Sequence, residues 1–141
     1  MATSAINIAI ENLFTTGWGS TTAVKYDNAP FTVPAVSWVS IECWDGVSGK
    51  KSLGTGPQLR RSTGTAFVNI YTPLNKGSKA ARDLADAVQV IFRDKQVSGI
   101  TFEEADVRRI GEQYFSINGV QSTTQWYQMV VAIPYFHDIV V

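Results

Sequence analysis

Few residues of this chain have the type and spacing to do chemistry. Cys43, His137 and Asp138 are the parts of a nucleophile, a base and an orienting carboxylate. A nucleophilic thiol needs a base within hydrogen-bond reach, itself held by a third group. His137 and Asp138 are adjacent in sequence, a spacing that rarely supplies that geometry. Cys43 alternates in phase with Val39 and Ile41, and its simplest reading is a small core residue. One cysteine and one histidine exclude an intrachain disulfide and a zinc site built on several thiolate or imidazole ligands.

The run Gly46-Val47-Ser48-Gly49-Lys50-Lys51-Ser52 resembles a phosphate loop only in part. That loop needs a glycine five positions before the second glycine, and a Ser or Thr directly after the lysine. Here those places hold Trp44 and Lys51, and no helix follows. A second charged stretch contains Glu103, Glu104, Asp106, Arg108, Arg109 and Glu112. On a strand, Glu104, Asp106 and Arg108 share one face; Glu103 and Arg109 share the other with Ala105 and Val107. Carboxylates so placed do acid–base work only in a cleft that shifts their pKa values. The interleaved arginines fit ion pairs better, including pairs across a subunit contact that set its register. Lys50, Lys51, Arg60 and Arg61 could contact phosphate, keep an exposed arm soluble or meet an acidic partner surface. Four tryptophans and five tyrosines could line a ligand pocket, but such residues more often fill cores or anchor protein contacts.

The elements that must position these residues follow from composition and periodicity. The 141 residues predict one domain spanning 1–141. Apolar residues make up 45% and charged residues 17%; polarity comes from 13 Thr and 11 Ser, a mix that favours strands. The 12 basic and 12 acidic residues cancel, which argues against a dedicated nucleic-acid binder and against disorder. The N-terminal segment has no basic region ahead of an apolar run, so no signal peptide is expected, and no apolar run reaches membrane-span length.

Ile6, Ile10, Leu13 and Phe14 mark one face of a first helix, capped by Thr3 or Ser4 and ended by Thr15-Thr16-Gly17. Ile8 lies off that face, so either the helix is buried on two sides or Ile8 meets a partner. Thr22 to Asn28 reads as a short strand, and Pro30 to Pro34 as an extended connector. Trp38 to Trp44 alternates, with Val39, Ile41 and Cys43 toward the core. Asp45 to Gly64 holds five glycines and reads as a flexible, projecting hairpin loop at about 45–64. Thr65 to Tyr71 is a strand. Ala81, Leu84, Ala85, Val88, Ile91 and Phe92 mark a second helix after Gly77-Ser78, with Lys79/Asp83 and Arg82/Asp86 spaced for ion pairs. Ser98-Gly99 separates it from a strand over Ile100 to Ile110. Asn118-Gly119 signals a turn, and Trp126 to Tyr135 is the last strand, with Pro134 at an edge or terminus. The order α-β-β-β-α-β-β predicts an α+β domain: a mostly antiparallel sheet of four to five strands with two helices on one face.

Several of these stretches carry a family resemblance in order. Tyr26 to Pro34 (YDNAPFTVP) resembles the W-x-N-x-P-F-x-x-P element of tail-terminator-like proteins of long-tailed bacteriophages, with Tyr26 where Trp is usual. Trp38 to Cys43 corresponds to that family's first core strand. Arg61 to Pro73 resembles its R-x-G-x-x-x-V-x-V-x-x-P strand. Gly77, Ala81, Leu84, Ala85, Asp86, Val88 and Phe92 fall on its G-x-x-x-A-x-x-L-A-D-x-I-x-x-x-F helix, and Trp126 to Tyr135 on its closing W-Y-x-x-x-V-x-I-P-Y strand. The loop from Gly46 to Arg61 is individual to this chain.

The resemblance implies a structural virion protein, without catalysis or cofactor. It would assemble as a hexameric ring on the head-proximal end of the tail tube, stop tube growth and present the surface that joins the head–tail connector. Its partners would be its own copies, the tube protein and the connector or stopper. Genomic DNA would pass through the lumen without specific recognition, and no membrane is involved. The expected location is the virion neck, after assembly in the host cytoplasm. Other neck components, the tube subunit and a small-molecule-binding module are the competing readings. A ring needs two different patches per subunit. The expected contacts are Lys50, Lys51, Arg60, Arg61, Glu104, Asp106 and Arg108, with the arm ordering against a neighbour or the tube.

Overall fold

The computed structural model describes residues 3–50, 59–117 and 120–140. The first helix, α1 (Thr3–Trp18), buries Ile6, Ile10, Phe14 and Trp18 at four-residue intervals, with Leu13 half-buried beside them. Ile8 is 57% exposed, so the helix is not buried on that side. The helix runs past the expected stop at Thr15–Gly17. It ends where Gly19 adopts φ +60° and its N–H returns to the Thr15 carbonyl at 3.1 Å. Gly17 serves close packing instead: a Cβ there would sit 2.9 Å from Ile91 Cγ1. The second helix, α2 (Lys79–Phe92), buries Ala81, Ala85, Val88, Ile91 and Phe92 as its periodicity demands. Lys79 pairs with Asp83 at 2.7 Å. Arg82 instead donates to Ser78 Oγ at 3.3 Å, and Asp86 accepts from Gln89.

Among the described residues, seven strands form one curled, mixed sheet. They are β1 (Ala23–Tyr26), β2 (Trp38–Lys50), β3 (Leu59–Pro73), β4 (Gln96–Val97), β5 (Ile100–Phe102), β6 (Asp106–Ile117) and β7 (Val120–Val140). β1 lies parallel to β2; the other pairings, β2·β3, β3·β7, β4·β5, β5·β7 and β6·β7, are antiparallel. The expected four to five strands are thus exceeded, and after α2 come four strands rather than two. Two local causes account for the difference. Ser98 and Gly99 have φ of 52° and 80°, the two positive values that a tight two-residue hairpin requires, so they join β4 to β5 rather than end a helix. The expected strand from Ile100 to Ile110 is broken at 103–105, because β7 changes partner there: Tyr135 to His137 pair with β5, and Ala132 and earlier residues pair with β6.

Pro134 sits at that handover, not at an edge or terminus. Its carbonyl accepts from the Glu103 N–H at 2.8 Å. In an antiparallel strand a residue's N and O face the same neighbour, so the missing proline N–H falls in the gap between β6 and β5 and removes no bond to β3.

Both helices cover one face of the sheet. Val39 and Ile41 of β2, Val68 and Ile70 of β3, and Met129, Val131 and Ile133 of β7 meet them in one core. Phe14 stacks on Trp18 and Phe92 at 5.2 and 6.2 Å between ring centroids, and Phe92 continues the chain of rings to Phe102 and Tyr135.

The hairpin expected at 45–64 is paired as strand on either side of its tip. Asp45 pairs with Gly64, then Ser48 with Ser62, Gly49 with Arg61 and Lys50 with Arg60. The two-for-one mismatch opposite Thr63 is a bulge that turns the ribbon. On its other edge, Leu59 to Thr63 pair with Val140 to Phe136, so the arm is three strands wide at its base. Its tip, 51–58, lies outside the described residues. At the far end of the sheet, β3 stops at Pro73 opposite Trp126, while β6 and β7 pair on to Ile117 and Val120. Asn118–Gly119, the sequence's turn signal, lies outside the described residues, but the strands on either side pair around it.

Candidate assembly surface

The face of the sheet opposite the helices follows directly from alternation. Along β2 the residues off the core are Trp38, Ser40, Glu42 and Trp44; their partners on β3 are Tyr71, Asn69, Phe67 and Thr65. The next column, on β7, is Gln128, Val130, Ala132 and Pro134, and β6 adds Arg108 and Asp106. At one end Trp38 is buried by stacking on Tyr71 at 4.2 Å, with Trp126 edge-on at 6.0 Å and Phe31 of the proline connector at 5.2 Å. A polar rung crosses the middle: Gln128 Nε2 donates to Asn69 Oδ1 at 3.1 Å, and Asn69 Nδ2 donates to Ser40 Oγ at 3.1 Å and Glu42 Oε1 at 3.4 Å.

Beyond that rung lies a groove of about 480 Å³. Glu42, Trp44, Phe67, Asp106, Arg108 and Ile110 are among its walls. A second hollow of about 360 Å³ shares Trp44, Thr65, Phe67 and Pro134 with it, and adds Asp45 and Glu103 at the root of the arm. Trp44, in edge contact with Phe67 at 5.2 Å, is 62% exposed and Ile110 is 46% exposed. Trp44 and Ile110 thus stand together in one polar-rimmed hollow rather than scattered singly over the surface.

The expected contact residues divide into three groups. Asp106 and Arg108 line the groove and pair with each other at 2.7 Å, both largely exposed. Glu104 lies elsewhere, in the link between β5 and β6 beside the end of α2. In the arm, Arg61 forms a two-pronged bond with Asp138, Nε–Oδ1 2.7 Å and NH2–Oδ2 2.8 Å, with its guanidinium 4.1 Å from the centre of the Phe136 ring. The Asp138 hydrogen bond raises the Arg61 pKa. Arg61 therefore ties β3 to β7 at the base of the arm. Arg60 is exposed, the backbone of Lys50 pairs opposite it, and Lys51 lies outside the described residues. Sequence reasoning missed Trp44, Phe67, Glu42 and Ile110 as a set. The signal for the first three was the off-core phase of β2 and its partner strand; Ile110 is displaced by a bulge between Arg109 and Gly111, which periodicity cannot foresee.

The nucleophile candidate dissolves. Cys43 faces the helices' side of the sheet, at the margin of the core. Burial, then the nearby carboxylates led by Glu11 and Asp45, push its pKa up to about 12. Tyr135 is pushed up to about 12 as well, by burial first and then by Cys43 and Asp45. Its buried hydroxyl has no hydrogen-bond partner among the described residues. Among those residues, no group of three or more His, Cys, Asp or Glu is placed to hold a metal ion.

Both raised values bear on stability. Between the unfolded values of 9.0 and 10.0 and the folded values near 12, the folded state holds more protons than the unfolded one. Stability is therefore full below about pH 9 and falls as pH rises toward 12. Native Cys43 should react with a thiol reagent at pH 8 at least a hundredfold more slowly than in denaturant. Urea midpoints should drop above pH 9, less steeply in Tyr135→Phe.

Among the described residues, no helix is long and apolar enough to cross a membrane. No curated protein matches the chain by sequence. Twelve chains of solved structures match it; one aligns over 98% of this chain and 95% of its own, at 18% identity and a TM-score of 0.58, a likeness of fold. A family model described as phage tail terminator protein matches residues 3–135, from α1 through Tyr135, and so includes both helices, the groove and the root of the arm. The chain belongs to the phage tail terminator protein family, and is a structural component of the phage tail.

Proposed function

We propose that the protein closes into a ring, as a hexamer, on the head-proximal end of the tail tube, halts tube growth there and presents the surface that joins the head–tail connector. The family match over residues 3–135 carries this reading. The fold agrees with it: a ring needs two unlike patches on each subunit, and the chain has a projecting ribbon at Lys50/Leu59 and an apolar, charged groove on the sheet. In the virion neck its partners are its own copies, the tube protein and the connector, and the DNA passes through the lumen unread. Assembly precedes this in the host cytoplasm.

The test is assembly. Light-scattering mass on a sizing column, with negative-stain images of the same peak, should give closed rings of one size, alone or once tube protein is added. Added to growing tubes, the protein should shorten them in proportion to its concentration. Filaments of the protein alone would make it a tube subunit instead, and tubes of unchanged length would remove the capping role.

A further inference from the structure

We propose that the groove on the open face of the sheet receives the basic β2–β3 arm of a neighbouring copy of this chain; the proposal rests on the ring reading above. Charge carries the argument first. The Asp106 carboxylate pairs with Arg108, and Glu42, Asp45 and Glu103 leave the groove and the hollow beside it net negative. The arm is the reverse: from Gly46 to Arg61 the sequence holds Lys50, Lys51, Arg60 and Arg61, and no Asp or Glu. Arg61 is held by Asp138, Arg60 is exposed, and the sequence adds Lys50 and Lys51 to the arm's charge. Apolar chemistry matches too. Trp44, Phe67 and Ile110 form a hydrophobic floor, and the arm carries Leu53 and Leu59 between its cations. A contact of this kind has an apolar centre and a charged rim.

Reach decides between a chain's own arm and its neighbour's. Arg60 stands seven residues along β3 from Phe67, about 23 Å at a strand's rise per residue, so a chain's own Arg60 cannot lie over its own groove floor. An arm in one copy and a groove in the next form a head-to-tail contact that repeats and closes.

A charge exchange tests this. The arm-reversed variant carries Lys50→Glu, Lys51→Glu and Arg60→Glu; the groove-reversed variant carries Glu42→Lys, Asp45→Lys and Glu103→Lys. Circular dichroism and thermal midpoints confirm that each still folds. Each alone should lose at least tenfold in ring population. Mixed one to one, they should recover rings of alternating composition, since each arm again meets a groove of opposite sign. Iodide quenching of tryptophan should fall on ring closure of the unaltered protein, because Trp44 becomes covered. Rings from the arm-reversed variant alone, no recovery on mixing, or unchanged quenching would each overturn the contact while leaving the ring reading in place. An unaltered protein that forms no ring, alone or on tubes, would instead fail the ring reading and the contact with it.

Discussion

Gly64→Ala should cost about 3 kcal/mol or more, at the upper end of overpacking penalties. Gly64 lies where the arm leaves the body of the sheet, paired with Asp45 on one side and Tyr135 on the other. A Cβ there would overlap the Tyr135 hydroxyl and stand 2.7 Å from the Trp44 carbonyl oxygen. The first neighbour is a buried ring end and the second is backbone, so neither can give way cheaply. Relief requires β2 and β7 to part at the base of the ribbon. Denaturant unfolding should show a lower midpoint with an unchanged slope. The double variant with Tyr135→Phe should recover part of the loss, because the hydroxyl is the nearer clash. An alanine variant as stable as the parent would show that the strands separate freely at this point.

Phe14→Ala should be the most damaging truncation in α1, at about 3–5 kcal/mol. The ring is fully buried and stacks between Trp18 and Phe92, so its removal opens a hole bounded by both helices. Against a total stability of about 5–15 kcal/mol, this lowers the thermal midpoint by roughly 10–20 °C for a chain of this size. Ile8→Ala on the exposed side of the same helix is the control and should stay within about 0.5 kcal/mol of the parent. A loss at Ile8 comparable to that at Phe14 would mean that α1 is covered from outside by another chain.

The periodic elements were legible in the sequence. The α2 stripe and the alternation of Val39, Ile41 and Cys43 appear in the structure where their spacing puts them, as does the placing of Asp106 with Arg108. All three are local properties of one segment, and local periodicity reports which face is buried. What was not legible depends on a second strand. Asp45 to Gly64 looked like a flexible hairpin loop because glycine and lysine are poor strand formers; its described strands exist because Asp45, Ser48 to Lys50 and Leu59 to Gly64 find partners on neighbouring strands. Pro134 looked like a strand end because proline cannot donate to a ladder. Its missing donor costs nothing where two neighbouring strands hand over. The groove was hidden for the same reason: Glu42, Phe67 and Asp106 come from three strands, and only their register brings them together.

One consequence of the handover concerns force. β7 runs unbroken through 21 residues, with a contour of about 70 Å at strand geometry. It is the one strand that both carries the arm's outer edge and forms the hairpin at the opposite end. Its hydrogen bonds lie across its length. A pull between its two ends loads the rungs to β3 together, in shear, whereas a pull at right angles would open them one at a time. The proline leaves that ladder to β3 complete, so the chain has a continuous tie-rod between its two projecting ends.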